Sequence, residues 1–205
     1  MLAWAWPPDY FSPLVAIHPA RPSAPSFHMV GRAVAGARQG LVDQWHEWIT
    51  GREAAGRALE PGDLRRMLCA TVGLLGHMIG PMRREAGESW LAATELFGRL
   101  AEARGLSAGE VVDEFQHLRE LLIVEMGDLF VAMPARQQMP AVLRVNRVCD
   151  LGVANAVVGY TDALVASMFS RDGVPVPTAD SVQELLAELG RVEGDVRQLD
   201  ERSPR

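Results

Sequence analysis

Lysine is absent from all 205 residues. A Schiff-base lysine and the lysine of a phosphate-binding loop are thereby excluded, and no glycine-rich loop of either usual nucleotide-binding spacing occurs. Every one of the 20 basic side chains is an arginine, set against 26 acidic ones for a net charge of −6. Phosphate-backbone binding needs a clustered positive field, so nucleic acid is not expected as a partner; the arginine pairs at 65–66 and 83–84 are of a kind common on surfaces. Cysteine is scarce. Cys69 and Cys149 each stand alone in an apolar helical pattern, which suits buried reduced thiols better than a disulfide or a metal pair. Alternating strand patterns bounded by hairpin turns are also missing, so the fold class is all-α. The opening MLAWAW has no basic flank and is too short for a signal core, so neither export nor membrane insertion is expected and a cytoplasmic address is.

What is present is enough for one core. Hydrophobic residues make up 48% of the chain, which excludes wholesale disorder, and one domain with tails is the default at this length. The best-specified stretch is Ala103 to Leu122. Gly105 stops one helix and Ser107 caps the next, with Glu110 placed to complete a capping box and Leu106 and Val111 placed to staple the start. Val111, Phe115, Leu118, Leu122, Met126 and Leu129 then recur at helical spacing, which predicts a helix reaching about Val131.

Around it the pattern predicts a bundle of about six helices. Residues 1–30 are rich in proline and read as a disordered tail; 31–170 hold the helical domain; 171–180 are a turn-rich linker; 181–205 are an amphipathic helix and tail. Helices are expected over 34–57 (with Leu41, Trp45, Trp48 and Ile49 on one side), 61–79, 88–104 and from Pro140 onward as the longest of all. In the second, Cys69, Gly73 and Gly76 form a strip of small residues opposite the apolar face. Asp180 with Gln183 can cap the last helix, whose Val182, Leu185, Leu189, Val192, Val196 and Leu199 follow three-four spacing. The positions flanking that stripe carry Glu188, Glu193, Asp195 and Asp200. A parallel self-pair would bring these acids together, so docking onto the chain's own bundle or onto another protein is favoured over a free coiled coil.

Several residues are candidates for function. Glu114-x-x-His117 has the spacing of a di-iron ligand pair and Asp43-x-x-His46 is a loose second copy, but His117 lies about 240° round the helix from Val111, so the pair is expected to face away from the apolar side and no metal is assigned. His77 lies near the small-residue strip, where a flat cofactor such as haem could approach, with Cys69 beside it. Asn146 and Asp150, one turn apart, could touch a ligand inside the bundle; the favoured reading is that Asp150 is buried and pairs with Arg119. Trp45 and Trp48 read as core or dimer-interface aromatics, and Val182, Leu185, Leu189 and Val192 as an interface for a partner. Ser107 is explained by capping, so no catalytic residue is assigned.

The stretch with Arg104, Gly105, Leu106, Ser107, Glu110, Val111, Val112, Glu114, Phe115, Leu118 and Arg119, a second block of Val145, Asn146, Arg147, Asp150 and Tyr160, and the region of Trp45 and Trp48 together resemble the N-terminal sensory domain of the RsbR group of stressosome proteins. That domain is also found ahead of some bacterial histidine kinases. The resemblance spans roughly residues 37–169. It implies a globin-like bundle without haem, a non-catalytic signalling or sensory role, homodimerisation, and contact with a kinase or a STAS-domain protein. In the family an output domain follows; here one helix and a charged tail do, so signals would pass through the surface or the last helix to a separate partner. The alternative is a small-ligand or haem-binding helical sensor.

Overall fold

The computed structural model describes residues 24–52, 59–169 and 179–203. These form α1 (Ala24–Arg52), α2 (Pro61–Ile79), α3 (Arg83–Ala103), α4 (Ala108–Glu125), α5 (Gly127–Ala132), α6 (Ala135–Met168) and α7 (Ala179–Arg202), with no strand among them. The fold is an all-α helical bundle. Most of the expected linker, the expected cap at Asp180 and most of the proline-rich tail lie outside the residues whose side chains are described.

The junction at Gly105 forms as its sequence dictates. Gly105 takes φ 73°, its amide donates to the Glu102 carbonyl at 2.7 Å, and the Leu106 amide donates to the Ala101 carbonyl at 3.0 Å. These two hydrogen bonds satisfy carbonyls that the end of α3 would leave bare. Two residues later the Ser107 amide donates to Glu110 Oε2 at 2.7 Å and the Glu110 amide to Ser107 Oγ at 3.3 Å, closing the capping box. Leu106 and Val111 are both buried.

Other boundaries move. α1 begins at Ala24, and carries Gly36, Gly40 and Gly51 within it. Each glycine costs about 1 kcal/mol in a helix interior, and burial of Val30, Val34, Leu41, Val42, Trp45 and Ile49 along one side outweighs that. α3 starts at Arg83, ahead of the expected Glu88. The helix expected to reach Val131 breaks at Met126, giving α4 and the short α5; Gly127 follows the break, and Met126 and Phe130 turn inward across it. Pro140 does not open the long helix: Pro134 caps it, and Pro140 lies within its second turn, where its missing amide deprives only the Arg136 carbonyl near a helix end.

α3 and α6 make the most extensive contact, followed by α1 with α2. Glycine sets how close they come. A Cβ at Gly98 would lie 1.9 Å from the Ala156 carbonyl oxygen, one at Gly159 2.2 Å from that of Glu95, and one at Gly152 2.7 Å from Trp90. Between these helices and α4 sits an aromatic cluster. Trp45 stacks on Phe97 at 5.6 Å between centroids, and Phe115 meets Phe97 edge-on at 4.9 Å. The Trp45 indole N–H is satisfied by the Glu114 carbonyl at 2.9 Å.

α6 is the one described helix long and apolar enough, by length and composition, to cross a membrane. Core helices of globular domains pass the same criterion.

Candidate functional site

α7 lies across α2 and α3. Leu189, Val192, Val196 and Leu199 are buried beneath it, and the acids that flank this stripe all find partners on the bundle. Glu188 pairs with Arg99 at 2.5 Å, Glu193 takes a two-pronged contact from Arg66 at 2.9 and 2.8 Å, and Ser89 donates to Asp195 at 2.8 Å. Asp200 accepts from both terminal nitrogens of Arg38 at 3.0 Å and lies 2.8 Å from His77 Nε2. Burial opposes ionisation of Asp200, but Arg38 and then His77 outweigh it and hold the carboxyl below its usual value. Arg66 is held above its usual range by Glu193 and Asp63.

This arrangement corrects the partner-interface expectation. Leu189 and Val192 are consumed inside the chain, and Val182 and Leu185 are half-buried at the same seam. Trp45 is fully buried in the core. Trp48 is half-buried against the edge of the core, its ring stacked on His117 at 4.3 Å with the Arg52 guanidinium 4.4 Å from its centre. Burial, with the nearby Arg52 and against Glu120, lowers the pKa of His117.

The expected opening beside His77 is also filled. The small residues of α2 admit the α1 backbone and the edge of α7: a Cβ at Gly31 would lie 2.8 Å from the Gly76 carbonyl oxygen, and one at Gly73 3.0 Å from Val196. A space of only about 40 Å³ remains near His77. Close approach of helices, rather than of a flat cofactor, is what these glycines serve. Cys69 is half-buried and borders a separate cavity of about 320 Å³ at the α7 seam, lined also by Arg38, Arg66, Glu193 and Asp200. Cys149 is buried, and desolvation pushes its thiol up to about 12.

Glu114 was expected to face away from the core with His117. It is instead buried, and meets the equally buried Arg104 with both oxygens, at 2.7 and 3.1 Å. α1 covers that side of α4 as well, so the helix has a second buried flank. Asp43 binds Arg65 and Gln39, and His46 lies 3.3 Å from the Pro61 carbonyl oxygen. Among the described residues no group of His, Cys, Asp and Glu is placed to hold a metal.

Asp150 does pair with Arg119. Its side chain is 63% exposed, however, so the expected burial is wrong: Asp150 points off the flank of α6 into solvent. Asn146 is half-buried and makes no hydrogen bond to a described residue. The amide that ties α6 to α3 is Asn155, which donates to the Leu91 carbonyl at 2.5 Å and Thr94 Oγ1 at 3.0 Å.

Two further features were not singled out from the sequence. A groove of about 640 Å³ runs between the start of α1, the α2–α3 turn and α6, with Arg83, Arg84 and Arg144 on its walls. The pair 83–84 was visible, but only the fold brings Arg144 to it. The second is the end of α6. No side chain from 161 to 169 is buried, and Val158, Val165, Met168 and Phe169 are 53, 45, 68 and 83% exposed.

No family model, curated protein or solved structure matches this chain.

Proposed function

We propose that the protein is a non-catalytic signalling or sensory module of the RsbR type, globin-like in its helix arrangement, cytoplasmic, and acting as a homodimer through contact with other proteins. The observation that carries the reading is the apolar end of α6. Large apolar side chains gathered on one exposed helix end favour a protein contact. α7, the other amphipathic surface, is satisfied by its own bundle, which leaves α6 to meet a second copy. A separate signalling protein, such as a kinase or STAS-domain protein, would then read the paired modules.

The test is mass measurement by light scattering over a range of concentrations, on the parent chain and on Val165→Asp and Met168→Asp variants. A dimer that becomes a folded monomer in the variants is the expected result. A parent that stays monomeric at high micromolar concentration would refute the dimer.

A further inference from the structure

The groove between α1, the α2–α3 turn and α6 gathers arginines from two helices in one place. Several arginines elsewhere are paired, Arg38, Arg65, Arg66, Arg99, Arg104 and Arg119 all meeting carboxylates, while Arg32, Arg136, Arg191, Arg197 and Arg202 stand apart from one another without an ion pair to a described residue. Here Arg83, Arg84, Arg144 and the neighbouring Arg147 make no ion pair with any described residue. Arg144 is half-buried with its Nε inaccessible to solvent and without a partner, and its guanidinium lies 5.0 Å from the centre of the Phe27 ring. Its cationic form is disfavoured first by burial and then by Arg83 and Arg147. Glu88 shares the wall without closing an ion pair on any of them.

Crowding cations that no carboxylate pairs costs free energy that a bound anion would return. The start of α3 adds to the field, because Met82 caps it with no side-chain bond and its first amides have no helical acceptor. The remaining walls are apolar, from Phe27, Met78, Leu91 and Leu151. An arginine fork matches a phosphate with paired N–H donors, and a ring can lie flat on Phe27 or on a guanidinium plane. We infer that this groove is a binding site for a phosphate monoester carried on a flat apolar body. The site lies away from the exposed end of α6, and the inference does not depend on the dimer.

The probe is 1-naphthyl phosphate, titrated into the full chain by calorimetry, with 1-naphthol and inorganic phosphate as its two halves. Saturable binding at one site per chain is expected, with each half weaker by about tenfold or more. Arg144→Met should weaken 1-naphthyl phosphate by about tenfold, through loss of a charge-assisted contact. Gly87→Leu gives a second test. A Cβ at Gly87 meets no atom within 4 Å, so the leucine enters the groove without disturbing the helix. It should reduce binding by a similar factor while leaving the melting temperature at or above that of the parent. The inference is overturned if the parent does not bind 1-naphthyl phosphate saturably, if 1-naphthol or inorganic phosphate binds as well as the ester, or if binding survives unchanged in a folded Gly87→Leu protein.

Discussion

Glu114 and Asp150 are both carboxylates paired to arginine, and their surroundings make them unequal. The Arg104–Glu114 pair is 2 and 6% exposed at its side chains, whereas Asp150 is 63% exposed. Removing one member of a buried pair strands the other charge, so Glu114→Ala should lose about 3–5 kcal/mol. Asp150→Ala should lose no more than about 1 kcal/mol, since exposed pairs are weak and screened. Urea denaturation of both proteins checks the contrast, and comparable losses would show that burial is not what separates them. The Arg119–Asp150 pairing was legible because opposite charges stood on two helices expected to meet. The burial of Glu114 was not. It lies about 60° from Val111 round α4, on the edge of the stripe, and only the arrival of α1 on that side makes an edge position interior.

At the level of elements, glycines inside helices have opposite meanings according to what packs against them. Gly36 and Gly40 face open space, whereas a Cβ at Gly98 would collide with the α6 backbone. Gly36→Ala should therefore raise stability by about 0.5–1 kcal/mol, and Gly98→Ala should lower it by at least about 1–3 kcal/mol. Thermal melts of the two proteins must move in opposite directions for this account to stand. Nothing in the sequence separates these glycines, because each interrupts a helical pattern in the same way.

α7 was read more fully. Its apolar stripe and flanking acids argued against a self-paired coil, and the acids meet Arg99, Arg66, Ser89, Arg38 and His77 instead. The lowered pKa of Asp200 gives the docking a pH dependence. A carboxyl depressed in the folded state contributes stability above its ordinary value, 3.8, and that contribution is lost as pH falls through the lower folded value. Hydrogen exchange in α7, corrected for intrinsic rates, should show protection falling below about pH 4. Asp200→Asn should weaken protection already at pH 7 and flatten that dependence. An α7 whose protection tracks that of α3 at every pH would mean it does not open separately.

For the molecule as a whole, the proposed homodimer through α6 predicts a melting temperature that rises with protein concentration, by mass action. Met168→Asp should remove the rise. A parent melt independent of concentration over two decades would count against the dimer.

The sequence by itself determined whatever depends on neighbours along the chain. The all-α class, the stop at Gly105, the capping box of Ser107 and Glu110, and the amphipathic stripe of α7 are local, because helical periodicity and caps are written within a few residues. Tertiary structure alone decided what depends on which helix arrives where. It filled the strip beside His77 with α1 and α7, buried Glu114 against Arg104 and exposed Asp150. It also set Arg144 beside Arg83 and Arg84. Burial and electrostatic fields are sums over groups distant in sequence, and no spacing along the chain encodes them.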